Sequence, residues 1–138
     1  MDTSQQVEMG KLFFEDGIPG FSHLQFFQLM QEEGNPFFLI QSTEEIDVGF
    51  WVIDPFAFFP DYSFELSEVA REALRVMEDS QIGVFSIVSI RENNKATVNL
   101  KAPIVVNMTN RMGRQVILQE DTYSIRQPLF EQCVVDQK

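Results

Sequence analysis

The chain carries little with which to do chemistry. Its 138 residues include one cysteine, Cys133, and one histidine, His23. A single cysteine excludes an internal disulfide, and a reducing compartment suits it best. One Cys and one His are too few for a structural zinc site, which takes four such ligands. A Cys/His nucleophilic pair would put its nucleophile in the C-terminal tail, where chain ends rarely hold fixed geometry. A surface histidine and an incidental thiol are the simpler reading. The seven glycines are expected at turns. None opens a helix as a phosphate cradle would, and Gly17-Ile18-Pro19-Gly20 reads as a tight turn. No apolar run approaches the ~20 residues that span a bilayer. The opening MDTSQQVEMG has neither the basic start nor the apolar stretch of a signal peptide. A cytoplasmic protein with no membrane contact and no cofactor is expected.

Basic residues are missing from one half only. Residues 1–70 hold thirteen Asp and Glu against the single Lys11, whereas residues 71–138 are nearly balanced, within a net charge of −11. Such a surface repels nucleic acid, whose phosphates need Lys and Arg. It attracts a basic protein, or it serves solubility by keeping a phenylalanine-rich chain dispersed. The acidic half also contains twelve of the fourteen phenylalanines.

The carboxylates show no catalytic pattern. Glu44, Glu45 and Asp47 lie close together, and Asp54 and Asp61 flank an aromatic cluster. A calcium loop needs oxygens at alternate positions, a glycine and a closing glutamate, and that order is not present. A glycosidase needs two carboxylates across a cleft, which linear spacing neither shows nor refutes. A solvated acidic loop is the simpler reading, and no catalytic or metal-binding residue is assigned.

What the chain does have is aromatic. FWVIDPFAFFPDY, residues 50–62, packs six aromatic side chains and two prolines into thirteen positions. In a strand, Phe50 and Val52 face one way, and Trp51 and Ile53 the other. Both faces are apolar, which predicts core from Phe50 to Ile53. Pro55 and Pro60 bracket Phe56-Ala57-Phe58-Phe59 as a turn or loop. Aromatic residues ringed by Asp54, Asp61 and Glu65 suit contact with a basic, apolar helix. Phe58 and Tyr62 are accordingly candidates for a docking patch, and Trp51 for the core.

Strands are expected at 7–14, 26–30, 37–41, 48–53, 82–91, 96–100, 104–107 and 114–119. Turns fall at 17–20, at Glu33-Gly34-Asn35-Pro36 and at Glu92-Asn93-Asn94-Lys95. One helix is expected over about 67–78. Ser67 caps it, Glu68 suits its positive end, and Val69, Ala70, Ala73, Leu74 and Met77 share a face. Many short strands and one helix predict a mainly β fold, a compact barrel or sandwich of largely antiparallel strands. The chain reads as one domain of 138 residues, with a core of about 7–130 and a tail of 131–138.

Five blocks carry a resemblance: GIPGF (17–21), EEGNPFFLIQS (32–42), VGFWVIDPFAFFPDYSFEL (48–66), ATVNLKAPIVVN (96–107) and GRQVIL (113–118). In this order, from about Glu8 to Leu129, they closely resemble the flagellar assembly factor W family, FliW. The resemblance implies a non-enzymatic cytoplasmic protein with a barrel-like β fold and two exchanging partners. One is newly made flagellin. The other is carbon storage regulator A (CsrA), a small basic RNA-binding dimer that represses translation of flagellin message. Flagellin export would free the factor to bind the regulator, away from its main RNA groove, and relieve repression. A monomer is expected when free.

Candidate contact residues are Glu44, Glu45, Asp47, Asp54, Phe58, Asp61, Tyr62, Asn99, Pro103 and Asn107. For the last three an architectural role stays open. Asn99 and Asn107 suit turns, and Pro103 interrupts regular pairing. The alternative function is a small-ligand barrel with a phenylalanine-lined interior.

Overall fold

A computed structural model describes residues 6–34, 36–91, 95–119 and 121–129. Strand formation follows the period-two pattern of apolar residues along the chain. Among the described residues, strands β1 (Gln6–Phe13), β2 (Phe26–Glu32), β3 (Phe38–Ser42) and β4 (Gly49–Ile53) come first. Helices α1 (Pro55–Phe58) and α2 (Glu68–Ala73) follow. Then come β5 (Ile82–Arg91), β6 (Lys95–Val98), β7 (Ile104–Asn107), β8 (Met112–Gln115) and β9 (Gln127–Pro128).

The sheet order is β4-β3-β2-β1-β8-β7-β5-β6-β9, and a further pairing of β4 with β5 closes the first seven into a barrel. β5 makes this possible by changing neighbours along its length. Ile82–Phe85 pair with β7, Ser86 and Ile87 with β4, and Val88–Arg91 with β6. β5, β6 and β9 therefore extend beyond the barrel as a flap. The mainly β expectation is borne out; β5 and β7 have the expected limits, and the other expected strands are shifted by up to four residues. β9 has no counterpart in the sequence reading; two residues give no periodicity to detect.

Two cores result. Inside the barrel, Leu12, Phe27, Leu29, Ile40, Val52, Phe85, Ile104 and Val106 are buried together with Phe14, Ile18 and Leu24. Their rings meet edge to face: Phe14 on Phe27 at 5.3 Å and Phe38 on Phe85 at 5.3 Å. Gly113 has to be glycine here, because a Cβ would lie 2.6 Å from the Phe14 ring. The phenylalanines fill the barrel by packing on one another, which weighs against the phenylalanine-lined ligand site. A second core lies outside, where the chain from Asp54 to Leu66 covers the flap. Ile53, Tyr62, Val88, Ala96, Val98, Leu100 and Leu118 are buried there.

The helices need correction. The sequence reading had a turn or loop at 56–59, but Asp54 caps a one-turn helix by accepting from the Phe56 N–H at 3.0 Å, with Pro55 at its first position. Asp-Pro serves as a helix start as well as a strand stop. The second helix is shorter than 67–78. Ser67 caps it as expected, accepting from Ala70 at 3.1 Å. It ends at Ala73, and Arg75 follows at φ 53. The Val76 N–H bonds back to Arg71 O at 2.9 Å and Arg75 N–H to Glu72 O at 3.1 Å. This is a left-handed cap made without glycine, so the usual stop signal is missing. Met77 falls beyond the helix and is 67% exposed, and Val69 also points outward; only Ala70 and Leu74 are buried, with Ala73 half-buried.

Candidate partner-binding surface

The candidate residues fall in three places. Glu44, Glu45 and Asp47 share the β3–β4 loop. Asp54, Phe58, Asp61 and Tyr62 lie on the segment covering the flap, and Tyr62 reaches the turn containing Asn99 and Pro103. Asn107 is separate, below the end of α2.

The acidic loop is built, not merely solvated. The Ser42 hydroxyl accepts from the amides of Glu44 (3.0 Å) and Glu45 (2.9 Å). One Glu44 carboxylate oxygen accepts from the N–H groups of both Gln25 and Phe26 at 2.8 Å, tying the loop to the start of β2. Those two bonds, Phe26 first, hold the Glu44 carboxyl below its ordinary value. From the other side the Gln41 side chain donates to Ile46 O and Val48 O, each at 2.9 Å. Glu45 lies 3.3 Å from the His23 ring, an exposed contact of small energetic weight. The result is a braced loop that displays Ile46 at 86% exposure between Glu45 and Asp47.

Loop and barrel face are continuous. Residues of β4 alternate, so Gly49 and Trp51 point outward while Phe50 and Val52 point inward. Trp51, expected in the core, is 44% exposed. The register aligns Glu8, Met30, Leu39 and Trp51 as one outward row across four strands. Met30 and Leu39 are half-buried beneath this surface. Gly49 adds no side chain beside Trp51, and the Gln41 amide lies over it, its Oε1 2.9 Å from where a Cβ would stand, so the strip from Ile46 to Trp51 is apolar at its two ends and polar between them.

The second place reverses the other half of the expectation. Tyr62, expected to contact a partner, is 3% exposed. Its hydroxyl donates to Leu100 O at 2.8 Å, and its ring packs on Tyr123 at 4.6 Å. Burial first, then the neighbouring Tyr123, raises its phenol well above the ordinary range. Phe58 and Phe59 are half-buried against the same core, and Phe56 is 43% exposed. Asp54 and Asp61 remain exposed.

The asparagines hold turns, as one of the two readings had it. Asn99 Oδ1 accepts from Lys101 (3.1 Å) and Ala102 (2.9 Å). Buried Asn107 donates to Leu74 O at 3.0 Å and accepts from Thr109 at 3.1 Å, closing the end of α2 onto β7. Pro103 is buried and lends its carbonyl to Val116 at 2.9 Å. Sequence reasoning missed Ile46 and the outward face of Trp51. An isoleucine flanked by acids in a loop was the available signal for the first. Cys133 and the tail of 131–138 lie outside the described residues.

Among the described residues no three of His, Cys, Asp and Glu converge as metal ligands, and no helix is long and apolar enough to cross a membrane.

Comparison with known proteins gives one consistent answer. The family model described as FliW protein matches residues 2–129. The flagellar assembly factor FliW of Desulfitobacterium hafniense (strain Y51) is 45% identical over 124 residues, covering 88% of this chain and 82% of that protein. That of Caldicellulosiruptor saccharolyticus is 41% identical over 121 residues, covering 87% and 80%. A crystal structure of the flagellar assembly factor FliW superposes with a TM-score of 0.83 at 37% identity, covering 87% of this chain and 85% of that one.

Proposed function

Because this chain belongs to the FliW family, we propose that it works by binding proteins in the cytoplasm and not by catalysis. Its partners are newly made flagellin and a basic RNA-binding regulator of the CsrA type, held in exchange. When flagellin leaves for export, the freed protein takes the regulator and relieves its repression of flagellin message. The regulator is engaged away from its RNA groove, so antagonism is allosteric.

One observation carries the reading: the strip from Ile46 to Trp51 presents two large exposed apolar side chains, Ile46 and Trp51, on a braced loop and the strand it leads into, with Glu44, Glu45 and Asp47 beside the first. Tryptophan is among the residues enriched at binding hot spots. Carboxylates at the rim speed encounter with a basic partner over about 8 Å at physiological salt. Preformed geometry lowers the ordering cost of association.

The test uses the full chain with purified flagellin and purified regulator. Ile46→Ala combined with Trp51→Ala should weaken binding of at least one partner by about tenfold or more, with little change in the melting midpoint. Unchanged affinity for both partners would remove the strip from the reading. Regulator saturated with RNA should still bind this chain; strict competition by RNA would replace allostery with an acidic decoy.

A further inference from the structure

The barrel closes unevenly. Neighbouring barrel strands run antiparallel with two or more registered pairs, except β1 and β8, which run parallel and share one, Phe13 with Met112. β8 begins opposite the last residue of β1. Residues Gln6–Leu12 are therefore held by β2 along one edge and meet no strand among the described residues along the other. The Phe13 N–H crosses that edge to Arg111 O at 2.9 Å. Strand periodicity turns the N–H and C=O of Lys11 the same way. Met9 is the extra residue of a bulge between Glu8 and Gly10.

Arg111 guards this edge. Its guanidinium donates to Met9 O at 2.8 Å and lies over Gly10, where a Cβ would come within 2.6 Å of it. Gly10, at φ +116, admits it. Among the described residues Met9 O is the acceptor Arg111 uses, and a guanidinium has donors for more. Basic side chains collect here in a chain of net charge −11. Lys11 is exposed on β1, Arg75 lies 2.9 Å from Met112 Sδ, and Arg114 lies 2.8 Å from Asp16. Asp16 offsets Arg114, and Glu8 and Glu15 stand on and just beyond β1, so Arg111 is the basic group placed on the edge itself.

We propose that the free edge of β1 accepts an added strand: an extended peptide segment with a carboxylate opposite Arg111. Main-chain pairing at Lys11 supplies the strand contact, and a forked Arg–carboxylate bond supplies register and selectivity. Bulges and charges usually protect a free edge from indiscriminate pairing. Here the protecting charge is also a receptor for the opposite one. The partner is thus acidic, the inverse of the one suited to the Ile46–Trp51 strip.

The probe is a labelled, end-blocked six-residue peptide alternating valine with glutamate, with a valine–lysine peptide as its counterpart, added to the full chain. The glutamate peptide should bind at least about tenfold more tightly, and Arg111→Gln should cost about tenfold of that affinity. Arg126→Gln removes the same charge elsewhere and should leave affinity unchanged. Amide exchange read by NMR should slow at Lys11 on binding and stay the same at Leu12, whose N–H strand alternation turns toward β2, opposite to that of Phe13. Binding with unchanged exchange at Lys11 means an ionic contact only and overturns strand addition. Equal affinity for both peptides, or equal effects of the two arginine variants, overturns the role of Arg111. The Lys11 readout on the wild-type chain decides the matter even if Arg111→Gln does not fold.

Discussion

Residues 50–53 and 54–62 have similar aromatic loads and opposite fates. On the strand, Phe50 and Val52 face the barrel core, Ile53 sinks into the outer core, and Trp51 is left in the open. On the covering segment, Tyr62 is driven under cover and Phe58 and Phe59 partly so, while Phe56 stays at the rim. The strand has an outward face that nothing among the described residues overlies at Trp51, and the segment holding α1 overlies the flap. Exposure here follows what each segment covers, not whether its backbone is regular: α1 and β4 each bury one side and show the other.

The sharpest way to break this comparison is a pair of alanine variants. Tyr62→Ala should cost about 3–5 kcal/mol in urea unfolding, the usual range for a large buried ring. Trp51→Ala should cost about 1 kcal/mol or less, as for surface positions. Equal losses would erase the distinction between the halves.

A finer cut keeps the Tyr62 ring and removes its hydroxyl. Tyr62→Phe leaves Leu100 O without the bond it accepts at 2.8 Å. A loss of about 1–2 kcal/mol is expected, and a neutral result would mean the ring alone anchors the segment. Asp54→Ala comes next, at about 1 kcal/mol, because it uncaps α1. Its signature is selective: amide exchange should quicken at Phe56 and remain unchanged in β4.

The smallest effect tests the other side of the comparison, the bracing of the acidic loop. Glu44 is ionised more readily in the folded chain, owing to the Phe26 and Gln25 amides, than its ordinary value of 4.5 implies. Its contribution is complete above that value and disappears as pH falls through the lowered folded value. Glu44→Gln should therefore melt slightly below the wild type at neutral pH, and the gap should close as pH drops below 4.5. A gap that does not change with pH would show that the amide bonds are indifferent to the charge.

Much of this was legible in the chain itself. Alternation of apolar residues located β1 to β8, because side chains two apart must share a face. Asp54-Pro55 ended β4, Ser67 started α2, and Asn99 and Asn107 marked turns, all through contacts within a few residues or a single backbone constraint. The charge asymmetry and the acidic triplet at 44–47 were equally plain. Tertiary structure alone decided which apolar faces were covered. Periodicity placed Trp51 and Ile53 on one side of β4, but only closure of β4 onto β5 put Ile53 under the flap and left Trp51 outside. The same closure hid Tyr62, whose partner Leu100 is 38 residues away. It also opened the edge of β1, since the point where β8 meets β1 depends on a parallel pairing 99 residues apart in sequence, between Phe13 and Met112. Local residue types set the faces of each strand, and long-range pairing set which of those faces and edges meet water.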